Sequence, residues 1–200
     1  MTPALATKAR AHLRKDKRMA AIMSGKLEWT YGRDPFEALC RAIVGQQLSV
    51  KAAATIYARF RSLYKNLTPH AVLKTQVAKL RSVGLSNQKA AYVHDLAKRF
   101  MDGTVDPKKF KQMTDEEIRT HLIAVKGVGR WTADMFLMFT LHRPDILPTG
   151  DLGIQKAMQK VFKLKKLPTE EQMEKLATPW APYRTIACRY LWECLDKSAQ

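Results

Sequence analysis

Signals that start α-helices recur along this chain, and they constrain its fold more than any other feature of the sequence. Three segments begin with a capping residue followed by proline: Asp34-Pro35, Thr68-Pro69 and Asp106-Pro107. Two further segments, Thr114 with Glu117 and Thr169 with Gln172, have the spacing of capping boxes. Apolar residues follow these caps at intervals of three and four, and the sequence has no alternating run typical of strands. The sequence therefore predicts an all-α protein of about ten short helices.

The spacing between these signals indicates how the chain is organised. No linker rich in glycine and serine divides the 200 residues, so the helices are expected to follow one another with short connections. The basic segment 8–18 is predicted to form one helix with a solvated face, and both termini are expected to fray.

The charge balance points to a polyanionic partner. Thirty-five lysines and arginines stand against 18 aspartates and glutamates, which gives a net charge of +17 and a pI near 10.0. A protein this basic usually meets a polyanion, of which nucleic acid is the first candidate and an anionic membrane surface the second. A charge excess that only keeps the protein in solution is the alternative interpretation.

Cysteine and histidine usage excludes several classes of protein. The three cysteines, Cys40, Cys188 and Cys194, are odd in number and widely spaced, which argues against a disulfide framework. No CxxC pair is present, and the five histidines show no metal-ligand spacing. Without a long apolar segment or a signal peptide, the chain is expected not to be secreted and not to enter a membrane.

The segment VKGVGRWTADMF, residues 125–136, combines two glycines, two cations and an amphipathic helix. The order predicts a helix that ends near Val125, a tight turn, and a second helix from Arg130 or Trp131 to about Leu141. Free N–H groups at the start of that second helix would favour an anion. Lys126 and Arg130 flank this position, so a grip on a DNA phosphate is one interpretation. A plain helix–helix connection with glycine at a C-cap is the other.

Together with a second motif, this segment resembles a known family. HRPDILPTGDLGIQKAM follows about 20 residues later, and the pair resembles the helix-hairpin-helix DNA glycosylase superfamily, whose signature is this hairpin, a Gly/Pro-rich loop and an aspartate. Three other segments resemble its 3-methyladenine DNA glycosylase II branch, which acts in alkylation repair: PFEALCRAIVGQQLSVKAA, LRSVGLSNQKAAYVHDLA and WAPYRTIACRYLW. The resemblance covers residues 34–193.

The resemblance implies a two-lobed all-α fold with a DNA cleft between the lobes. The central lobe would comprise residues 36–140 and contain the helix-hairpin-helix at about 118–141. Residues 1–35 and 141–200 would form the second lobe, and the whole chain would be one monomeric glycosylase unit.

The resemblance makes Asp151 the catalytic residue. A carboxylate beside the sugar stabilises the positive charge that develops as the base leaves, and it can orient or deprotonate water. An aspartate before a helix is also a common N-cap, and one residue can serve in both ways.

The resemblance also implies a pocket for the flipped base. Its expected members are Trp131, Met135, Trp192, Trp29 and Tyr31. Aromatic faces attract a cationic base and stack on flipped bases. The alternative for an aromatic residue on an apolar helix face is an ordinary place in the core. Met135 departs from relatives that carry an aromatic residue there.

Three segments are expected to contact DNA. The expected contacts are Lys126, Gly127, Val128, Gly129 and Arg130 in the hairpin, Gln47, Leu48 and Ser49 in the GQQLS turn, and Ser86 with Lys89. Gln47 is the expected plug that fills the gap left by the flipped nucleotide. Gln46 is expected to satisfy backbone groups at the helix junction instead, and Ser86 serves equally well as a helix cap.

Two departures from other members narrow the chemistry that the resemblance implies. Bifunctional members carry a Schiff-base lysine where this chain has Trp131, so no lyase activity is expected. Members with an iron–sulfur cluster carry four clustered cysteines, and Cys188 with Cys194 cannot replace them. We therefore expect no cofactor, although backbone carbonyls of Ile123, Val125 and Val128 could hold a monovalent cation by resemblance.

The resulting functional hypothesis is a monofunctional glycosylase that flips alkylated bases out of duplex DNA and hydrolyses their N-glycosidic bonds. Such an enzyme would act in the cytoplasm or nucleoid of a bacterium, or in a nucleus. Two alternatives stay open: a DNA-binding or damage-sensing module without turnover, and a glycosylase for a mismatched or oxidised base. The sequence does not distinguish among 3-methyladenine, 7-methylguanine, 1-methyladenine and ethenoadenine as the preferred lesion.

Overall fold

A computed structural model of the chain describes residues 2–25, 27 and 34–196, and within them every regular element is helical. The α-helices are α1 Pro3–Leu13, α2 Lys17–Ile22, α3 Pro35–Gly45, α4 Val50–Ser62, α5 Pro69–Leu73, α6 Val77–Ser82, α7 Asn87–Met101, α8 Asp115–Ile123, α9 Arg130–Phe139, α10 Leu152–Phe162, α11 Glu170–Ala177 and α12 Arg184–Asp196. A short 3-10 helix, Thr178–Trp180, precedes α12. The all-α prediction is confirmed. Helices of five or six residues (α2, α5 and α6) raise the number above ten.

Most of the predicted helix starts are confirmed by their hydrogen bonds. Thr114 and Thr169 each begin a complete capping box, with Glu117 and Gln172 respectively. The start predicted at Asp106-Pro107 is wrong. The Asp106 carboxylate accepts from the amide of Lys108, 3.0 Å away, and closes a local turn. Successive turns then follow until the Thr114 cap begins α8.

The single helix predicted over residues 8–18 is also wrong, because Asp16 interrupts it. The Asp16 carboxylate accepts from the amides of Arg18 and Met19, and so begins the separate helix α2. The indole Nε1 of Trp180 donates to its other oxygen across 3.0 Å. A charge-only reading of this segment could not show that one carboxylate would cap a second helix.

The chain divides into two compact units, and the boundary falls within α9. One unit is Arg33–Phe136. In its core α3 packs against α4 and α7, with the Phe36 and Phe100 rings edge to face at 5.1 Å. Fully buried Leu39, Ile43 and Val93 complete this interface. Because the caps of α3, α4 and α7 are all satisfied by side chains, these helices present defined ends at the surface.

The other unit consists of Met1–Gly32 and Leu137–Gln200. Within its described residues α12 packs against α10, α2 and α1. The largest buried side chains here are Trp180 and Tyr190. Among all described residues, no helix is long and apolar enough to cross a membrane.

A partly buried ion pair fixes the start of α12, and we expect it to make stability depend on pH. Both Arg184 Nε and Nη2 donate to the Asp145 carboxylate at 2.7 Å. Burial opposes ionisation of Asp145, but the hydrogen bonds and charge of Arg184 outweigh it, so the pKa of Asp145 is lowered in the folded chain. A lowered pKa stabilises the fold above the unfolded-state value, and that contribution is lost as pH falls through the folded-state value.

We therefore expect Asp145→Asn to lower the free energy of unfolding by about 2 kcal/mol at neutral pH. Thermal melts across the pH range measure this, and the difference from wild type should shrink below about pH 4. Asp106→Asn is the matched control, because its partner Lys109 is largely exposed and such pairs contribute little. Equal melting shifts for the two variants would contradict the assignment.

Candidate active site and DNA interface

Asp151 lies at the start of α10, where its carboxylate is half-buried and held by two donors. Asp151 Oδ1 accepts from the amide of Ile154 at 2.8 Å, which is the N-cap bond. The indole Nε1 of Trp192, from α12, donates to the same oxygen at 3.0 Å. The N-cap interpretation is therefore correct as structure. It leaves the second use open, because a carboxylate has several acceptor positions.

Gly153 makes the contact between Asp151 and Trp192 sterically possible, although the sequence reasoning did not single it out. A Cβ on Gly153 would lie 3.0 Å from Asp151 Oδ1 and 3.1 Å from Trp192 Nε1. Both distances are tighter than ordinary packing allows. The signal in the sequence was a glycine two residues after the aspartate. Only the structure shows that the indole approaches on that side.

Hydrogen bonds also fix the loop before Asp151. Thr149 donates its hydroxyl to Glu170 at 2.7 Å, and its carbonyl accepts from the Gln155 side chain at 2.8 Å. The Asp151 amide closes a turn on the carbonyl of Pro148. The carboxylate is thus anchored from the loop, from α10 and from α12, which limits its movement.

The described pocket candidates lie on two helices. Trp192 is half-buried on α12. Its ring lies 6.0 Å from that of Phe139, with the planes inclined by 31°. Phe139 was missed by the sequence reasoning, although it is four residues beyond Met135. The predicted pocket residues Trp29 and Tyr31 lie outside the described residues.

One face of α9 carries a row of large apolar side chains at intervals of four. Trp131 is 49% exposed, Met135 is half-buried and Phe139 is 39% exposed. Residues four apart lie above one another on a helix. Aromatic residues that serve only as core are rarely so exposed, so the exposure of Trp131 and Phe139 argues against a purely core role.

We expect Trp192→Phe to lower the rate of base release about tenfold, because it removes the donor to Asp151 and keeps the aromatic ring. Tenfold corresponds to about 1.4 kcal/mol, which is near the value of one hydrogen bond to a charged group. The measurement is single-turnover release with enzyme in excess.

Trp180→Phe is the matched control for this variant. It removes an indole donor that also bonds an aspartate in this unit, Trp180 Nε1 to Asp16. This change should lower the melting temperature without lowering the rate of the folded enzyme. A Trp192→Phe enzyme as fast as wild type would show that the indole does not position Asp151.

The segment between α8 and α9 forms the predicted tight turn, and its helix boundaries are close to the expected ones. α8 ends at Ile123, two residues before Val125, and α9 ends at Phe139, two residues before Leu141. The Val128 amide donates to the carbonyl of Val125 at 3.1 Å. The Lys126 amide donates to the Asp95 carboxylate of α7 at 2.8 Å.

Two of the hairpin amides therefore have partners within the protein, which reduces the predicted backbone grip. The amides at the start of α9, at Gly129 and Arg130, have no acceptor within a helix, as at any helix start. Apart from its chain neighbours, no heavy atom of the described residues lies within 4 Å of the position that a Cβ on Gly129 would take. Lys126 and Arg130 are exposed on either side. Val128 contributes a buried side chain.

Gly127 is the residue on which the hairpin depends most. Its φ of +81° lies in the left-handed region. A Cβ there would lie 2.1 Å from Cδ2 of Tyr92. Its carbonyl accepts from Gln46 Nε2 at 2.7 Å. Because glycine has no Cβ, the Tyr92 ring can pack directly against this position.

A buried ion pair joins the two helices of the hairpin. Arg119 on α8 donates through Nε and Nη2 to Asp134 Oδ1 on α9, both at 2.9 Å. The two residues are only 8% and 3% exposed. Glu116 bonds the same guanidinium. Burial raises the pKa of Asp134, although Arg119 acts against that shift. Removing one partner of such a pair strands a buried charge, so the pair holds α8 and α9 together.

The GQQLS turn exposes the side chains that were predicted to enter DNA. Gln47 is exposed, with a left-handed φ of 56°, and Leu48 beside it is 37% exposed. Ser49 caps α4 by accepting from the amide of Ala52. Gln46 has the structural role that was expected of it, since it bonds Gly127. The adjacent Val50, 89% exposed, was missed.

Lys89 supports this turn through hydrogen bonds to backbone carbonyls at the end of α3. Its ammonium donates to the carbonyls of Val44 and Gln46, at 2.8 and 2.7 Å, and burial lowers its pKa. These bonds use two of its three donors, so the structure gives Lys89 a role in holding the end of α3. Ser86 caps α7 by accepting from the Lys89 amide.

One of the three backbone carbonyls suggested as ligands of a monovalent cation already accepts a hydrogen bond within the protein. That of Val125 accepts the Val128 amide, and Val128 itself is buried. The site at Ile123, Val125 and Val128 stays a prediction. Among the described residues, no group of three or more His, Cys, Asp or Glu side chains is placed to hold a metal ion. Three histidines contact backbone carbonyls instead: His12, His94 and His121.

Comparison with known proteins decides the family. Residues 40–182 match the family model described as HhH-GPD superfamily base excision DNA repair protein. The chain belongs to this family. The predicted resemblance is thereby confirmed, and the matched residues include α8 and α9.

Relatives and solved structures agree with this assignment. The chain is 34% identical to DNA-3-methyladenine glycosylase 1 of Schizosaccharomyces pombe over 165 residues, 80% of this chain and 72% of that protein. It superposes with a TM-score of 0.86 and 30% identity on a DNA-3-methyladenine glycosidase from Bacillus halodurans, covering 99% of this chain and 91% of the other. The S. pombe 3-methyladenine DNA glycosylase in complex with abasic DNA gives a TM-score of 0.81 at 32% identity, covering 93% and 95%. The HhH glycosylase fold is confirmed.

Proposed function

We propose that this HhH-GPD protein is a monofunctional DNA glycosylase. It hydrolyses the N-glycosidic bond of alkylated bases, of the 3-methyladenine type, in duplex DNA and thereby begins base excision repair. The observation that carries the proposal is the anchored carboxylate of Asp151, bonded to the indole of Trp192 in a chain of this family.

The chemistry asked of Asp151 is modest for this class of base. A base alkylated on a ring nitrogen carries a positive charge in DNA and leaves as a neutral molecule, so it needs little protonation. Positive charge then develops on the sugar, and a fixed carboxylate stabilises it. The same carboxylate orients the water that attacks the sugar carbon. The N-cap and indole bonds hold the carboxylate in a fixed position for this role.

Aromatic faces supply the recognition. Trp192 and Phe139 form one pair within their unit. On α9, Trp131 is exposed and Met135 is half-buried. A cationic base is attracted to the face of an electron-rich ring, so selection of alkylated over normal bases follows from charge. Met135 replaces an aromatic ring by a flexible, polarisable side chain, which suits bases of several shapes.

The unit Arg33–Phe136 supplies contacts to the duplex. Lys126, Arg130 and the backbone amides of Gly129 and Arg130 hold a phosphate, and this contact is independent of sequence. Gln47 and Leu48 enter the space that the flipped nucleotide leaves. Filling that space offsets an unstacking cost of roughly a few kcal/mol.

The absence of lyase activity is a separate part of the proposal. Trp131 stands where bifunctional members of the superfamily carry a Schiff-base lysine. Without an amine at that position the reaction ends in hydrolysis, and the product is an abasic site in an intact strand.

An end-labelled duplex treated with a methylating agent tests the proposal. Incubation with the protein should produce strand breaks only after alkali is added, because alkali cleaves at abasic sites. Breaks without alkali would overturn the monofunctional part. No breaks in either condition would favour a binding module without turnover.

A further inference from the structure

A second basic surface lies at the end of α10 that is farthest from Asp151. We call it the distal basic face. Its members are exposed cations from two segments: Lys15, Lys17, Arg18, Lys163, Lys165 and Lys166. The contact that joins the segments is the guanidinium of Arg18, which stacks 5.1 Å from the ring centre of Phe162. The six cations belong to none of the contacts proposed for base removal.

The face includes a groove of about 720 Å³. The groove is lined by His12, Lys15, Asp16, Lys17, Arg18 and Pro179. The one carboxylate in it, Asp16, already accepts from two backbone amides and from the Trp180 indole. His12 bonds the Pro179 carbonyl through Nε2. The lysines and the arginine therefore dominate the charge that a ligand would meet.

The ring contacts of this unit separate the face from Asp151. Asp151, which precedes the first residue of α10, contacts Trp192 near the end of α12. Phe162, the last residue of α10, lies 5.9 Å from Trp180, just before α12. The two helices are therefore antiparallel, and α10 holds the two sites about 16 Å apart along its axis. Asp151 and the distal basic face therefore lie at opposite ends of α10.

We propose that the distal basic face binds the phosphate backbone of a second segment of duplex DNA while the first segment is held for base removal. Lysine and arginine are the side chains that replace counterions along DNA. Lysine is depleted in protein–protein interfaces, so a protein partner fits this surface less well. The consequence is direct transfer between DNA segments, in which the protein binds an incoming duplex before it releases the first one. The proposal rests on the proposed function only in that the chain binds duplex DNA.

Competitor-dependent release tests the proposal. A labelled duplex with a stable abasic-site analogue is bound, and its dissociation rate is measured against increasing unlabelled, lesion-free duplex. For wild type the rate should rise with competitor, about threefold or more at low salt, because transfer passes through a complex with both duplexes. Replacing Lys15, Lys17, Lys163, Lys165 and Lys166 by glutamine should make the rate independent of competitor.

The matched control removes the same charge from exposed lysines of the other unit that have no proposed role. These are Lys65, Lys74, Lys79, Lys108 and Lys111. This control should respond to competitor as wild type does. Three results would overturn the proposal. One is a wild-type dissociation rate that does not depend on competitor, and another is a distal variant that responds to competitor as wild type does. The third is a control variant that loses this response as fully as the distal variant. Acceleration by polyglutamate as strong as that by duplex would also overturn it, in favour of an acidic protein.

Single-turnover base release by the same variants separates this proposal from the proposed function. The distal variant should release base as fast as wild type, because it lacks only the second contact. A wild-type protein that released no base but still showed competitor-dependent dissociation would overturn the proposed function and support the distal basic face.

Discussion

Asp151→Asn is expected to lower single-turnover base release by about 100-fold to 1000-fold, because it removes the charge that stabilises the developing cation. Asparagine is nearly as good an N-cap as aspartate, so α10 should keep its first turn. Its side-chain oxygen can still accept from Ile154 and Trp192, the two partners of Oδ1. The substitution therefore separates the charge of Asp151 from its structural role.

Two controls make this result interpretable. The melting temperature and the affinity for a duplex with an abasic-site analogue should stay close to wild type. Asp16→Asn is the matched variant, since Asp16 likewise caps a helix and accepts an indole N–H. Its base release should be unchanged. If Asp151→Asn kept the wild-type rate, Asp151 would be a helix cap and the catalytic assignment would be wrong.

Gly127→Ala is expected to have the second largest effect, a loss of duplex affinity of about 10-fold to 100-fold. An alanine at φ +81° is strained by about 1–2 kcal/mol. Its Cβ would also meet the Tyr92 ring at 2.1 Å, and overpacking of this kind costs about 1–3 kcal/mol. Because Lys126, Gly129 and Arg130 are placed by this turn, displacement of Gly127 should move the proposed phosphate contacts. Fluorescence anisotropy with the same duplex measures the loss.

Gly103→Ala is the matched control for the backbone strain. Gly103 has nearly the same φ, +80°, but its hypothetical Cβ meets no described heavy atom within 4 Å beyond its chain neighbours. It should lower stability slightly and leave duplex affinity unchanged. Combining Gly127→Ala with Tyr92→Ala should restore part of the affinity, since the ring that causes the clash is gone. Equal effects of Gly103→Ala and Gly127→Ala would show that strain alone, and not the Tyr92 contact, controls the hairpin.

The sequence predicted the helical class well because the caps are local. Thr114 and Thr169 carry their partners three residues away, and both boxes form. The failures also have local causes that compete with the pattern. The Asp106 carboxylate accepts from the backbone amide two residues ahead and closes a turn. The Asp16 carboxylate caps a second helix within a basic segment. In each case spacing alone does not show which nearby amides the carboxylate will bind.

The candidate site was less accessible to sequence reasoning because its geometry depends on residues far apart in the chain. Asp151 could be named, but its bond to Trp192 joins residues 41 positions apart, and Gly153 matters only once that bond exists. Lys89 looked like a phosphate ligand because it is cationic and follows a cap. Its actual acceptors, the carbonyls of Val44 and Gln46, come from another helix end. Such pairings follow from tertiary packing, which no local pattern encodes.

The two units contribute different parts of the proposed reaction. Met1–Gly32 with Leu137–Gln200 carries the carboxylate, its indole donor and the distal basic face. Arg33–Phe136 carries the hairpin, the Gln47 turn and the clamp of Arg119 with Asp134. Variants can therefore be sorted by their effect: changes near Asp151 should alter the rate, and changes near Gly127 should alter affinity for the duplex.

The most direct test of the central claim is chromatographic analysis of the bases that the wild-type protein releases from methylated duplex DNA. Free alkylated purine, such as 3-methyladenine, should accumulate with time and protein concentration, and normal bases should stay in the DNA. The identity of the released base would also name the preferred lesion. If no alkylated base were released while the protein still bound the duplex, the chain would be a DNA-binding member of its family and not a glycosylase.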